Sequence, residues 1–325
     1  MAVNQQNINQ IELSLKNREK SGPFYPSVYI IELTNKCNLK CKICPNNQID
    51  YSQKGYIDEK LFEKIIIDIS PYCEFLMLYW MGEPLLHKKF NQLLEVARVN
   101  IRGKIAVSSN MTINNPSFYE SALRNSDFFL CCVDRWDKLA YEDLRQGSSF
   151  EDVVRNIEEL LKKKKSNHNC EVIVKALDIS ISSTEFDCFK KYWERLGAKT
   201  LLAWVSDWAG TLPTLRKNSQ LDIPHQQNTR VPCADLWFKM PINWRGDVLM
   251  CCFDWSYSHK IGSVENSSDW LKTIWHSDLI KKIRENQLSG KWRNNTLCEK
   301  CTTWAELFEH DAYVNCNEKS YFTVF

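Results

Sequence analysis

The sequence lacks three features that would each point to a particular class of protein. Its 325 residues carry a net charge of only +2, so no charge of one sign is available to attract nucleic acid or an anionic membrane. No apolar run approaches the roughly 18 residues needed to cross a bilayer. The polar N-terminus, MAVNQQNINQIELSLKNREK, contains no apolar core of a secretory signal. We therefore expect a cytoplasmic protein that binds neither nucleic acid nor membrane.

Cysteine, by contrast, is abundant. The chain has 14 cysteines, and 44% of its residues are hydrophobic. In a reducing compartment, such a number of thiols indicates metal binding more often than a disulfide framework. The search for function therefore begins with the spacing of the cysteines.

Strand-like and helix-like segments alternate from residue 27 to residue 210. The predicted strands cover 27–33, 74–80, 104–109, 127–133, 170–177 and 200–205, and the predicted helices cover 58–70, 88–100, 116–124, 150–164 and 184–196. Nearly continuous apolar strands alternating with amphipathic helices are typical of a parallel sheet covered by helices. Six such units predict an α/β fold, a partial (β/α)6 TIM-like barrel, with its chemistry at the C-terminal ends of the strands.

The alternation ends near residue 210. Beyond it we predict two short strands around a turn at Arg245-Gly246-Asp247, a helix over 268–287, and a loop that holds CEKC at 298–301. The expected domains are an N-terminal lead-in at 1–26, the barrel at 27–210, and a small C-terminal α+β module at 211–325.

Three cysteines follow the first predicted strand at short spacing. The stretch TNKCNLKCKICPNN, from Thr34 to Asn47, places Cys37, Cys41 and Cys44 in a C-x3-C-x2-C pattern. A structural zinc ion or an ordinary iron–sulfur cluster takes four protein ligands. Three thiolates therefore suggest a [4Fe–4S] cluster that leaves one iron open for a small chelating ligand.

This pattern resembles the radical S-adenosylmethionine (radical SAM) superfamily, and further motifs extend the resemblance over about residues 27–210. Met81-Gly82-Glu83-Pro84 after the second strand is similar to the GGEP motif, with Met81 in place of the first glycine. Ser108-Ser109-Asn110 ends the third strand and is similar to a Ser/Thr-Asn-Gly segment, with Met111 in place of the glycine. The family's segment from the fourth strand into the following helix is similar to VDRWDKLAYEDLRQGSSFEDVVRNIEELL of this chain.

The resemblance implies a set of SAM-binding residues. GGEP holds the methionine amino group, the Ser-Asn segment lies near the ribose and methionine, and an arginine lies near the SAM carboxylate. The residues implied here are Gly82, Glu83, Pro84, Ser109, Asn110 and Arg145. For Arg145, an ordinary surface arginine is the competing interpretation.

A second group of cysteines lies near the C-terminus. Cys233 and Cys251 flank Gly246 in a C-x12-G-x4-C pattern, and Cys298 and Cys301 form a later C-x2-C. The pattern resembles a SPASM extension that lacks its last cysteines, since Thr302–Asn315 contains none. This shortened form is similar to the twitch domain of radical SAM aminocyclitol dehydrogenases. It implies one auxiliary [4Fe–4S] cluster, although four thiolates also suit zinc.

Several other residues stay open at this point. Cys252, beside Cys251, is an inert buried thiol, an exchangeable ligand or a hydrogen-atom donor. Cys131 and Cys132 are expected in the core, and Cys316 is a reserve ligand. Four tryptophans at strand ends could stack on adenine or on a sugar: Trp80, Trp136, Trp204 and Trp208.

The resemblance implies an enzyme, a radical SAM oxidoreductase. It would cleave S-adenosylmethionine to a 5′-deoxyadenosyl radical, abstract a substrate hydrogen and oxidise a small-molecule alcohol, a sugar or aminocyclitol, with the auxiliary cluster as electron acceptor. A flavodoxin- or ferredoxin-type protein would supply electrons. The catalytic base is not identified, and Asp207, Lys175 and Arg245 are only weak candidates.

Two other functions compete with this one. The first is a peptide-modifying maturase, an epimerase or cross-linking enzyme of a ribosomal peptide; the lead-in of about 25 residues is short for the leader-binding domain that such enzymes often carry. The second is an electron-transfer or scaffold protein, against which the nearly complete SAM-binding motif set argues.

Overall fold

The computed structural model describes residues 2–164, 168–203, 205–212, 215 and 230–301. Over these residues the chain folds around one sheet. Its nine strands are β1 (Val28–Ile31), β2 (Phe75–Met77), β3 (Lys104–Ser109), β4 (Phe128–Asp134), β5 (Glu171–Leu177), β6 (Lys199–Ala203), β7 (Lys239–Ile242), β8 (Asp247–Leu249) and β9 (Lys260–Ser263). Their order across the sheet is β6-β5-β4-β3-β2-β1-β7-β8-β9.

The first six strands are parallel and adjacent in chain order, as a (β/α)6 half-barrel requires. Helices cover one face of the sheet, and the main core lies between them. The described α-helices are α1 (Ala2–Lys16), α2 (Glu59–Ile69), α3 (Phe90–Asn100), α4 (Pro116–Asn125), α5 (Lys138–Leu144), α6 (Phe150–Lys163), α7 (Ser183–Arg195), α8 (Asp235–Phe238), α9 (Trp270–Trp275), α10 (Asp278–Leu288) and α11 (Thr296–Lys300). The predicted fold class is confirmed.

Local sequence signals position the barrel helices. The side chain of Asn115 accepts from Ser117 N, and Pro116 occupies the first position of α4. Ser149 caps α6 by accepting from Asp152 N. These caps determine where each helix begins after its strand, and so they define the loops at the C-terminal ends of the strands.

The C-terminal strands extend the barrel sheet. β7 pairs in parallel with β1, placing Ile30 opposite Pro241, and β8 and β9 continue antiparallel. The predicted pair of strands is confirmed, with Gly246 at φ +82° in the turn. Its attachment to β1 was not predicted, because strand pairing between distant segments depends on tertiary packing.

Three local expectations were incomplete or wrong. The lead-in contains α1, for which we predicted no element. The single helix predicted over 268–287 is two helices, because Ser277 caps α10 by accepting from Ile280 N. The expected loop at 298–301 is mostly helix α11, with Cys301 at its C-terminal cap.

A search of the described helices for a membrane span found none with both the length and the apolar character required.

Candidate functional site

The three thiols of the first motif lie on the loop that directly follows β1. Cys37, Cys41 and Cys44 are each partly exposed. Burial raises the pKa of the Cys41 thiol to about 11 and that of Cys44 to about 12. A metal must therefore displace protons from these thiols when it binds.

Gly82 allows the second motif to lie against this loop. A Cβ on Gly82 would come within 2.2 Å of the Thr34 carbonyl oxygen and 2.7 Å of the Lys36 carbonyl oxygen. The neighbouring Glu83 N–H donates to Lys36 O at 2.9 Å. Only glycine fits at this contact, which connects the end of β2 to the thiol loop.

The Glu83 carboxylate bridges the ends of two strands. It accepts hydrogen bonds from Leu85 N at 3.1 Å and from Asn110 N at 2.7 Å. Burial raises its pKa to about 7, although these donors act in the opposite direction. Pro84 begins a short 3-10 helix, Pro84–Leu86, and the Glu83 carboxylate caps its N-terminus. The motifs after β2 and β3 thus form one structural unit.

Met111 adopts the conformation that a glycine would provide in the third motif. Its φ is +61°, in the left-handed region, and its side chain is fully buried. Its N–H donates to Ser109 Oγ at 3.0 Å, and its carbonyl accepts from Asn156 Nδ2 at 2.8 Å. The substitution of the usual glycine therefore preserves the turn that follows β3.

Arg145 is buried, so the interpretation as a surface arginine is wrong. Its Nε donates to Asp134 Oδ2 at 2.7 Å, and only 7% of the residue is exposed. Burial by itself would lower the pKa of Arg145, but Asp134 and the Cys41 and Cys132 thiols raise it overall. Asp134 Oδ1 has no hydrogen-bond partner within the described residues. Asp134 was missed, although a carboxylate at the end of an apolar strand was a usable signal.

One cavity of about 290 Å³ brings these residues together. Among the sequence-predicted residues, its wall includes Cys37, Cys41, Cys44, Gly82, Glu83, Ser109, Asn110, Arg145 and Cys252. Pro84 does not line the cavity; it begins the short 3-10 helix that follows Glu83. The cavity opens where parallel strands end, as the predicted barrel requires.

The inner wall of the cavity carries further polar side chains. Tyr79, Ser108, Cys132 and Lys175 line it from four successive strands or strand ends, and Ser108 Oγ lies 3.2 Å from Cys132 Sγ. Cys131 packs in the main core as expected, whereas Cys132, also buried, faces the cavity. Successive strand residues face opposite sides, which separates the two thiols.

The three weak candidates for the base differ in position. Lys175 lines the cavity. Asp207 is buried and accepts from Gly210 N at 3.2 Å, and it does not line the cavity. Arg245 is exposed and donates to Gln53 O at 3.2 Å. Lys175 alone among the three is placed to reach a bound substrate.

The four C-terminal thiols of the second motif lie close to one another. Burial raises the pKa of Cys233, and the Cys301 and Cys298 thiols raise it further. Cys251 is affected in the same way by Cys233 and Cys301. The described part of the chain contains no group of three or more His, Cys, Asp or Glu side chains suited to a single metal ion. A cubane cluster gives each thiolate its own iron, so its sulfur ligands need not converge on one point.

Cys251 and Cys252 join the auxiliary site to the cavity. Both lie beyond the end of β8, in irregular structure that includes a turn. The interaction between their thiols lowers the pKa of Cys252 and raises that of Cys251. Cys252 lines the cavity, and Cys251 lies near Cys233 and Cys301. The two sites therefore share a wall.

The tryptophans at strand ends have different roles. Trp80 lines the cavity and donates from Nε1 to Cys252 O at 2.6 Å, and Trp208 lines it and donates to Ile43 O at 3.0 Å. Trp136 instead packs against Phe150, Phe189 and neighbouring aromatic rings, so it is not a cavity residue. Trp204 and the reserve ligand Cys316 lie outside the described residues.

The residues present fit a cluster with SAM at the first site. Three thiols lie on one side of the cavity, and the Glu83 carboxylate and the Arg145 guanidinium line the same space. A carboxylate suits an amino group, and a guanidinium suits a carboxylate. These are the charges that the amino-acid end of SAM presents to a protein.

Comparisons with known proteins agree with this arrangement. The profile of the radical SAM superfamily matches residues 31–176, and that of the SPASM iron–sulfur cluster-binding domain matches residues 233–302. Both resemblances noted in the sequence are thereby confirmed. No curated protein matches the sequence.

Solved structures share the fold. BtrN in complex with AdoMet and 2-DOIA is 15% identical, with a TM-score of 0.59 over 85% of this chain and 93% of its own. SuiB of Streptococcus suis bound to precursor peptide SuiA is 15% identical, with a TM-score of 0.64 over 86% and 71%. AnSMEcpe with bound AdoMet is 15% identical, with a TM-score of 0.58 over 86% and 87%.

The C-terminal region matches a domain that binds iron–sulfur clusters, which favours an iron–sulfur centre over zinc at the four cysteines. The cofactors are therefore S-adenosylmethionine, the [4Fe–4S] cluster that binds it, and an auxiliary iron–sulfur centre in the C-terminal region. The chain carries a radical SAM domain followed by a SPASM iron–sulfur domain, and it is a radical SAM enzyme.

Proposed function

We propose that this enzyme oxidises an alcohol carbon of a small molecule, a sugar or aminocyclitol, in the reducing cytoplasm. Such an oxidation removes one hydrogen atom, one proton and one electron from the substrate. When bound, the reduced first cluster and SAM supply a 5′-deoxyadenosyl radical for the hydrogen atom, and the auxiliary cluster supplies an acceptor for the electron. A flavodoxin- or ferredoxin-type protein would reduce the first cluster.

We assign the first cluster to Cys37, Cys41 and Cys44. Glu83 would accept from the SAM ammonium group, and Arg145 would donate to the SAM carboxylate while Asp134 holds its guanidinium in place. Ser109 and Asn110 would contact the rest of SAM from the end of β3. Because Gly82 lies against the thiol loop, SAM and the three ligands would be held by one rigid unit.

The auxiliary cluster would be held by Cys233, Cys251, Cys298 and Cys301, as one cluster. The observation that carries the proposal is the contact of the auxiliary site with the cavity through two residues adjacent in the chain, Cys251 and Cys252. Cys252 lines the cavity in which a substrate would lie, and its neighbour belongs to the auxiliary site. This contact offers a short route for an electron between the cavity and the auxiliary site.

Lys175 is the side chain that we propose for handling the hydroxyl proton. It lies on β5, opposite Cys132 of β4, and it lines the cavity wall.

The fold comparison supports a small substrate as well. BtrN, in complex with 2-DOIA, is covered by this chain over 93% of its length, whereas SuiB, bound to a precursor peptide, is covered over 71%. The chain is therefore close in extent to a relative with a small ligand.

The alternative is modification of a peptide, which one observation favours. Cys132 and Cys252 place two thiols on the cavity wall, and a thiol can return a hydrogen atom to a substrate radical. Epimerisation of an amino acid ends with such a step, and alcohol oxidation does not.

The test is anaerobic turnover with SAM, a reductant and a panel of aminocyclitols, sugars and short peptides, carried out in D2O. Oxidation predicts 5′-deoxyadenosine together with a product that is two mass units lighter and carries a carbonyl group. A peptide product of unchanged connectivity with one deuterium, formed only while Cys252 is present, would replace our proposal by epimerisation. If no substrate in the panel increases 5′-deoxyadenosine, the proposed substrate class is wrong.

A further inference from the structure

The side-chain amide of Gln287 connects two thiol-bearing segments of the auxiliary site. Gln287 lies near the end of α10 and is 3% exposed. Its Oε1 accepts from Cys233 N at 3.3 Å, and its Nε2 donates to Cys298 Sγ at 3.4 Å. These two cysteines are far apart in the sequence, and Gln287 belongs to neither segment.

The orientation of the amide follows from its partners. A backbone N–H can only donate, so the atom that faces Cys233 N must be the carbonyl oxygen of the glutamine. The NH2 group is thereby directed toward the sulfur of Cys298. Because Gln287 is buried, bulk water does not compete with Cys298 for this NH2 group.

Two positively charged side chains lie near the auxiliary thiols. Arg230 donates from Nη1 to Cys298 O at 2.9 Å and stacks over Trp292, with 4.8 Å between the guanidinium carbon and the ring centroid. The buried Lys239 pairs with Asp235 at 2.9 Å, two residues beyond Cys233. Arg230 and Lys239 thus place two cations near the auxiliary thiols, and the Asp235 carboxylate pairs with the second.

A hydrogen bond to a ligand sulfur changes the redox properties of a cluster. It withdraws electron density from the thiolate and stabilises the reduced state, which carries one more negative charge. Burial strengthens this effect, because few solvent dipoles screen it. Such stabilisation favours the transfer of an electron from a substrate to the auxiliary cluster.

We propose that Gln287 is a positioning residue of the auxiliary cluster, which holds Cys298 by an N–H···S hydrogen bond and makes the cluster easier to reduce. This inference rests on the proposed function only in that it takes the four cysteines as ligands of one cluster.

The experiment is a reduction-potential titration followed by electron paramagnetic resonance. It uses the full chain with Cys37, Cys41 and Cys44 replaced by alanine, so that the auxiliary cluster is observed by itself. In this background we compare Gln287→Glu and Gln287→Met. The first keeps the acceptor for Cys233 N and removes the donor to Cys298; the second removes both without adding charge.

Asn286→Asp is the matched control. It makes the same change from amide to carboxylate on the next residue of α10, and the hydrogen bonds of the auxiliary thiols described above do not involve its side chain. We expect both Gln287 variants to shift the potential to more negative values, and the control to leave it close to that of the parent. A tenfold weaker tendency to accept the electron corresponds to about 59 mV.

The outcomes separate the two proposals. If the triple-alanine parent shows no cubane signal on reduction, the auxiliary cluster itself is refuted. If the signal is present and Gln287→Met leaves the potential unchanged, only the role of Gln287 is refuted. Loss of the auxiliary iron in both Gln287 variants would assign the residue a purely structural role and would also overturn this inference.

Discussion

The hydroxyl group of Tyr257 hydrogen-bonds to both carboxylate oxygens of Glu32, at 2.9 and 3.0 Å. Glu32 is fully buried at the end of β1, and Tyr257 comes from the C-terminal region beyond the Cys251–Cys252 turn. The same carboxylate accepts from Met81 N and Trp244 N, both at 3.3 Å. The Glu32 side chain therefore connects the loop after β2, which begins the Met81-Gly82-Glu83-Pro84 motif, to the C-terminal region.

Removing this hydroxyl should destabilise the protein. Tyr257→Phe leaves a buried carboxylate with one strong donor fewer, and we expect unfolding free energy to fall by about 1–3 kcal/mol. The measurement is urea unfolding of the metal-free protein under anaerobic conditions. Tyr56→Phe is the control, since Tyr56 is 41% exposed. Equal stabilities of the two variants would contradict the importance of the Glu32 contact.

Stability should depend on pH through Glu32. Burial raises its pKa from 4.5 to about 7, so the folded protein holds a proton there that the unfolded chain releases. Its stabilising contribution is complete below about pH 4.5 and is lost as the pH rises through 7. We expect the loss in unfolding free energy between pH 5 and pH 8 to be about 2–3 kcal/mol smaller in Glu32→Gln than in the wild type.

The control for this pH experiment is Glu63→Gln, because Glu63 is exposed. It should show the same pH dependence as the wild type. A Glu32→Gln variant with an unchanged slope would show that Glu32 ionises at its ordinary pKa in the folded protein.

Gly82→Ala should disrupt the first cluster. The new methyl group would lie within 2.2 Å of the Thr34 carbonyl oxygen and force the thiol loop away from the end of β2. A displacement of about 1 Å at a reacting centre can reduce the rate about a hundredfold, and we expect that loss in 5′-deoxyadenosine formation.

Gly197→Ala serves as the comparison for Gly82. A Cβ there meets nothing within 4 Å, and only the φ of +87° opposes the substitution. It should cost about 1–2 kcal/mol of stability and leave SAM cleavage intact. Normal cleavage in Gly82→Ala would refute the close contact.

The Arg145–Asp134 pair should show strong coupling. Arg145→Met leaves a buried carboxylate without its cation, which costs about 3–5 kcal/mol, and it should also weaken SAM binding. Adding Asp134→Asn removes the uncompensated charge, so the double variant should be more stable than the sum of the single changes predicts. Additive effects on unfolding free energy would show that the two side chains act independently.

Cys251 and Cys252 should differ in iron binding. With two [4Fe–4S] clusters, the wild type should hold about eight irons per chain. We expect Cys251→Ala to lose about four of them and Cys252→Ala to retain all, measured after anaerobic reconstitution. The opposite result would make Cys252 the ligand, since the two cysteines are adjacent in the chain.

Much of the first site was predictable from the sequence because its residues follow strands. In a parallel sheet, the residues that come after successive strands meet at one edge, so the motifs near Cys37, Glu83 and Asn110 had to converge. The left-handed conformation of Met111 was not predictable, since a buried methionine there depends on packing with Asn156. Glu32 was also missed, although a glutamate within the apolar stretch SVYIIEL was a visible signal.

The sequence by itself determined the alternation of strands and helices and the three-thiol loop, because these depend on local spacing, and its resemblance to a SPASM extension indicated the second group of cysteines. Only the tertiary structure decided that β7 pairs with β1, that Cys252 lines the same cavity as Glu83 and Arg145, and that Gln287 lies between Cys233 and Cys298. Contacts between residues far apart in the chain arise when the sheet and its helices pack, and no local periodicity encodes them.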